Sequence, residues 1–242
     1  MTQFAFAVRK TTWLSVIAGV SAIAMGGALL LSLSRSAILA LAAAMAALLI
    51  LRGRSGWLAL ALALLAGGLA VLRLGVYKIL SLFMASASLG GYSSRMDIWS
   101  RAFYILQDFP FTGVGMGAFP TIADRLYPFT YFDPGWIHHA HNLYLQIAVD
   151  LGVVGLLAWL AIFTLATVAA WRAYRLGLRA QDHLLTAVGA GLFGSQLALG
   201  LHGLTDAVIW GMVRPAPLVW ALWGVGMAAS RIAKNVPSDR PG

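Results

Sequence analysis

The stretch LYLQIAVDLGVVGLLAWLAIFTLATVAA, from Leu143 to Ala170, decides the fold. It is apolar over a length that exceeds the ~20 residues a helix needs to cross the hydrocarbon core. Its one charged residue is Asp150. Similar runs, rich in Ala, Leu, Val and Gly, occur on both sides. The reading places spans at 12–33, 36–51, 56–74, 143–170, 184–210 and 215–231. The first five contain no Pro, so none needs a kink. Small residues such as Gly26, Gly27, Gly67 and Gly68 would let helices approach closely.

Composition agrees. Of 242 residues, 60% are hydrophobic and only 10% charged, and the mean hydropathy is +0.82. A soluble domain carries about 25% charged residues, so the excess apolar surface must face lipid. The expected fold is all-α: a polytopic membrane bundle of about six transmembrane helices in a single domain. The net charge of +9 invites a nucleic-acid reading. The Lys and Arg residues lie between apolar runs, however, which is the pattern of topology signals. No nucleic-acid partner is expected. With no Cys, disulfides and Cys-ligated metals are excluded.

Arg9 and Lys10 precede the first apolar run, and Ala22-Ile23-Ala24 resembles a signal-peptide cleavage site. The run is too long for a typical signal core, so an uncleaved span is expected. If the segment 75–142 is outside, Arg9, Lys10, Arg52, Arg54, Arg172, Arg175, Arg179, Arg231, Lys234 and Arg240 are all inside. Only Arg35 and Arg214 fall in the short outer connections. The positive-inside bias therefore puts both termini in the cytoplasm. Within 75–142 one helix is expected, over about 95–108. Ser94 would cap it with Asp97 in a capping box, and Pro110 follows its end. Ile98, Trp99, Ala102, Phe103, Ile105, Leu106 and Phe109 share its apolar face, so it should lie on the membrane surface or on the bundle.

Several polar residues sit where they are costly. Arg95 falls on that apolar face and in the first helical turn, where the dipole disfavours a cation. Arg35 interrupts two apolar runs, a placement that usually marks an ion or substrate path. Arg214 lies in a similarly short turn before Pro215. His141 and Asn142 stand at the lip of the fourth span, where an imidazole can exchange a proton near neutral pH. His202 and Asp206, four apart, share a face of the fifth span. The role of Asp150 is left open. His138, His139 and His141 cluster, but their spacing matches no H-E-x-x-H helix, and no metal is expected. Gly113-Val114-Gly115-Met116-Gly117 follows no strand, so it reads as a tightly turning loop rather than a nucleotide site. Arg35, Arg95, Arg214, His141, His202 and Asp206 all map to the outer end. A ring of Arg with a His suits a phosphate or pyrophosphate, with a hydroxyl activated beside it.

These motifs resemble the C-terminal half of the bacterial O-antigen ligase/polymerase family. Ser34-Arg35-Ser36-Ala37 with Leu39 fits that family's R-x-x-x-L pattern. Arg95-Met96-Asp97-Ile98-Trp99 precedes Pro110-Phe111-Thr112-Gly113-Val114-Gly115. His141-Asn142, nine residues, then Gly152-Val153-Val154-Gly155 fits H-[NSQ]-x9-G-x-x-[GTY], the most specific of the three. His202-Gly203 with Asp206 fits the late helix. The resemblance implies a metal-independent, inverting glycosyltransferase of the inner membrane that needs no cofactor. Its donor would be a glycan on polyprenyl diphosphate at the periplasmic face. Its acceptor would be a sugar hydroxyl of lipid A core or of another glycan. Arg35 would hold the diphosphate, Arg95 would assist, and His141 would orient or deprotonate the acceptor. Family members usually carry several more spans before this segment. A truncated enzyme, or a partner chain supplying those helices, is therefore expected. The alternatives are a transporter or flippase for a lipid-linked or anionic solute, and a non-catalytic membrane partner.

Overall fold

The computed structural model describes residues 2–78, 92–207, 209–210 and 216–234. Among these residues it is helical throughout, without strands. The helices are α1 (Thr2–Leu31), α2 (Arg35–Leu51), α3 (Arg54–Leu74), α4 (Tyr92–Asp108), α5 (Phe119–Leu126), α6 (Leu143–Ala180), α7 (His183–His202) and α8 (Ala216–Lys234). Three of them, α3, α6 and α7, are long and apolar enough to cross a membrane. Ser15–Leu31 and Arg35–Leu51 are shorter apolar helices. The protein is a helical membrane bundle.

The chain forms two compact units, Met1–Leu39 and Ala40–Gly242. In the first, α1 exposes Ile17, Val20, Ile23 and Leu31, the pattern of a lipid-facing helix. It ends in a turn in which Leu33 takes a left-handed φ of 52°. Ser32 Oγ donates to Leu29 O at 2.6 Å and receives the Ser34 amide at 3.3 Å.

In the second unit, α6 is the organising element and packs against α4, α5, α7 and α8. At its N-terminus Asn142 adopts extended backbone, and its side chain accepts the Leu145 amide at 3.0 Å. That satisfies one of the orphan donors of the first turn. The helix then breaks at Gly152, where φ is 71° and ψ 178°. The loop after α4 takes up the freed backbone groups. Val114 N donates to Val149 O at 2.8 Å and Gly115 N to Asp150 O at 2.9 Å. Val153 N donates to Pro110 O at 2.8 Å. The approach is so close that a Cβ on Gly152 would lie 2.3 Å from Phe111 O. One on Gly113 would lie 2.5 Å from the Asp150 carbonyl carbon. The glycine-rich loop thus closes a break in a membrane helix.

Two cores flank α6. Leu145 and Val149 pack with Ile98, Ala102 and Ile105 of α4, with Phe119 and Ala123 of α5, and with Ile137 and Ala140. Leu143, Ile147, Trp159 and Ala166 pack with Ile209 and Trp223. The first core fixes the long loop to the bundle; the second binds α6 to α8.

Three boundaries differ from expectation. First, α4 begins at Tyr92, so Ser94–Asp97 is not a capping box. The Asp97 carboxylate instead accepts the Thr130 amide at 2.6 Å and the Tyr131 amide at 3.2 Å, and pairs with Arg101 at 3.1 Å. It clamps a loop, which is why it is buried. The buried stripe is Ile98, Ala102 and Ile105, while Phe103 and Phe109 point outward. Second, the loop holds an additional helix, α5, with Pro in its first turn. Third, the fifth span ends at His202 rather than near 210. Gly203 O turns to accept the Leu143 amide of α6 at 2.7 Å, and Thr205 Oγ1 donates to His202 O at 3.0 Å. With the Gly203 carbonyl committed to Leu143, the helix does not continue: the Asp206 amide still donates to His202 O at 3.1 Å, but Asp206 lies just past the turn and not on a helix face.

Candidate functional site

The site lies where three chain segments meet in the second unit: the start of α4, the approach to α6, and the turn after α7. The turn is pinned from both sides. Arg95 Nη1 donates to Thr205 O at 2.7 Å, and Asn142 Nδ2 donates to Leu204 O at 3.1 Å. Tyr144 Oη donates to Gly200 O at 2.8 Å in the last turn of α7. Asn142 is therefore both a helix cap and a tie across the site.

Held this way, the turn presents Asp206 to two imidazoles. His141 Nδ1 lies 3.7 Å from Asp206 Oδ1, and His139 Nδ1 lies 3.9 Å from the same oxygen. The two rings are 4.2 Å apart between centroids. His141 has a φ of 47°, a left-handed conformation that costs a residue with a Cβ roughly 1–2 kcal/mol. Ala140 N donates to Gln146 Oε1 at 2.6 Å immediately before it, and Asn142 begins the helix immediately after it. The strained residue is thus anchored on either side.

The two imidazoles differ. The backbone amide of His141 donates to His139 Nδ1 at 3.2 Å, so that nitrogen must carry a lone pair. The proton of neutral His139 then sits on Nε2. His141 has no such constraint, and its Nδ1–H can face Asp206 while Nε2 keeps a lone pair. Burial, followed by the charge of a protonated His141, pushes the His139 imidazole below its ordinary 6.5. Burial would raise the Asp206 carboxyl. The facing His141, the Ala207 amide and the charge near His139 outweigh it and hold the group at about 2. At neutral pH this gives an ionised Asp206 carboxylate beside an uncharged His139 ring.

His139, His141 and Asp206 each offer a ligand atom, all within 4.8 Å of one another. A tetrahedral zinc ion would need ligand atoms about 3.3 Å apart, from bond lengths of about 2 Å. Closing the trio on an ion through Nδ1 would also take His139 from the His141 amide.

Of the residues singled out in the sequence, Arg95, His141, Asn142, His202 and Asp206 come together here. His202 is half-buried at the end of α7, within electrostatic reach of Arg95 and Asp206. Arg35 opens α2 in the first unit and is partly buried. Arg214 lies outside the described residues. Sequence reading missed His139 as a neighbour of Asp206, and Thr205 as the group that takes up the Arg95 charge. His139 was visible in the cluster His138–His141; the backbone carbonyl of Thr205 leaves no mark in a sequence.

Residues 20–160 match a protein-family model described as O-antigen ligase. The match covers more than half of the chain. It takes in Arg35, Arg95, His141 and the break at Gly152, and it stops before His202 and Asp206. Comparison with curated proteins finds no match.

Proposed function

The chain belongs to the O-antigen ligase family, and from that premise we propose that it transfers a glycan from a polyprenyl diphosphate carrier to a sugar hydroxyl. The acceptor is lipid A core or a growing polysaccharide. The observation that carries this reading is the His141–Asp206 pair, 3.7 Å apart, beside the Arg95 guanidinium.

The chemistry follows from the pair. Asp206 favours a proton on His141 Nδ1 and leaves Nε2 as base. The acceptor hydroxyl oxygen attacks the anomeric carbon of the donor sugar as its proton passes to His141 Nε2. The bond from that carbon to the diphosphate oxygen breaks on the opposite face, so the configuration inverts. The electron pair leaves with the diphosphate. Fixed guanidinium groups stabilise that developing charge. Arg35, which fits the family pattern, is assigned to hold the diphosphate, with Arg95 and Arg214 assisting. Arg95 has five N–H donors, and the Thr205 carbonyl takes one. His202 and Asn142 are assigned to hold the substrates and the turn in place. With guanidinium groups in the role a divalent cation would fill, the reaction is metal-independent.

The distribution of Lys and Arg supports an inner-membrane protein with cytoplasmic termini and the segment 75–142 in the periplasm.

The test is transfer in liposomes from a polyprenyl diphosphate-linked repeat unit, with lipid A core or free glycan as acceptor. His141→Ala and Arg35→Ala should each abolish transfer while the protein still inserts. Activity retained in both variants would overturn the proposal.

A further inference from the structure

The mechanism leaves one buried acid without a task. Asp150 sits on α6 with 1% of its surface exposed. A carboxylate in such a place is costly unless its oxygens are satisfied, and an apolar side chain would serve packing at least as well. Its two oxygens serve different elements. Oδ1 accepts from Gln146 Nε2 at 2.9 Å, and Oδ2 accepts from Trp210 Nε1 at 2.9 Å. The Gly117 backbone amide is a further partner.

Each arm ends beside the His141–Asp206 pair. Gln146 is itself buried, and its Oε1 accepts the Ala140 amide at 2.6 Å, one residue before His141. Trp210 lies four residues after Asp206, on the segment that leaves the Asp206 turn. Asp150 also decides which way the Gln146 amide points. Because Nε2 must face the carboxylate, Oε1 must face the Ala140 N–H. Turned over, the amide would set donor against donor at Ala140.

We propose that Asp150 is a positioning residue for transfer. Through Gln146 it holds the left-handed backbone at His141, and through Trp210 it holds the segment carrying Asp206. The two halves of the acid–base pair are thereby kept in register. The proposal rests on the reading of His141 as base and Asp206 as its partner. Only a carboxylate meets the requirement at this position. Asn has the same shape but one acceptor oxygen, so it must turn an NH2 toward one of the two donors and release that arm.

The experiment has two arms on the full chain. In liposomes with the repeat-unit donor, Asp150→Asn and Trp210→Phe should each lower kcat about tenfold, because misplaced catalytic groups cost rate rather than binding. KM for the donor should stay within about twofold. The double variant should fall short of the product of the two, as expected for residues on one path. In detergent, with histidine side chains isotopically labelled, Asp150→Asn should move the NMR signals of His139 and His141. It should leave His183, at the other end of α7, in place. If Asp150→Asn does not fold, Trp210→Phe, which keeps an aromatic side chain of smaller size and removes the N–H donor, carries both arms. Wild-type kcat in a folded variant, or unmoved His139 and His141 signals, overturns the proposal. If the unsubstituted chain transfers nothing, the catalytic reading has failed, and the NMR arm alone decides the positioning claim.

Discussion

His141 Nδ1 and Asp206 Oδ1 stand 3.7 Å apart although 65 positions separate them in the chain. A carboxylate at that place can select the tautomer of the imidazole. Its loss should leave His141 present but with its proton free to move to either nitrogen. Asp206→Asn should lower transfer about a hundredfold, within the range of about 10²–10⁴ that a general base contributes. His141→Gln should lower it at least as far. Initial rates in liposomes test both; equal rates for Asp206→Asn and the parent would dissolve the pair.

Arg95 combines a charge with a fixed direction, since its Nη1 donates to Thr205 O. Arg95→Lys keeps the charge but loses the planar fork. It should recover only a minor share of the activity that Arg95→Ala removes. Full recovery with Lys would mean that charge alone matters there.

Stability should depend on pH through the same cluster, in two windows. Burial, then the His141 charge, keeps the His139 imidazole below 6.5, so the unfolded chain binds its proton first. Its contribution is complete above pH 6.5 and declines as pH drops below that value. Asp206 is held at about 2 against an ordinary 3.8. Its contribution is complete above 3.8 and is lost as pH falls toward about 2. Thermal unfolding in detergent should show His139→Gln flattening the decline just below 6.5. Asp206→Asn should flatten the decline below 3.8.

Gly152 combines a φ of 71° with a Cβ position 2.3 Å from Phe111 O. Gly152→Ala should therefore destabilise the protein by about 2–4 kcal/mol, through strain and a displaced loop. Ala at Gly191, where an added Cβ meets nothing within 4 Å, is the control. Denaturant midpoints that match for the two variants would remove the case for the break as a built feature.

Chelators should leave transfer unchanged. Zinc should inhibit it, since His139, His141 and Asp206 could close on an added ion and occupy the base. Rates with EDTA and with micromolar zinc measure this; loss of activity with EDTA would contradict the metal-independent reading.

The bundle was legible because unbroken apolar runs leave a chain little alternative in a membrane. Arg95 was legible because a cation on an apolar stripe at a helix start needs an explanation. The mate of Asp206 was not. The i, i+4 spacing of His202 and Asp206 suggested a shared helix face, but α7 stops at His202 because Gly203 O is drawn to the Leu143 amide. That bond is tertiary and has no local signature. Asp97 was misread for a similar reason: its loop partners at 130 and 131 lie far along the chain. The loop from Gly113 to Gly117 reads in sequence as a tight turn. Its use, to receive the open carbonyls of α6, depends on a break that a single Gly among apolar residues does not announce.

The Gly203–Leu143 bond also sets an order of assembly. A membrane protein emerges from the ribosome N-terminus first, and Arg95, His139 and His141 are made well before Thr205 and Asp206. A nascent chain that stops short of the second arm of the α6–α7 hairpin has the base but neither the acid that selects its tautomer nor the carbonyl that takes up the Arg95 charge. The proposed acid–base pair is therefore complete only once the turn after α7 has been made and has folded back onto the start of α6.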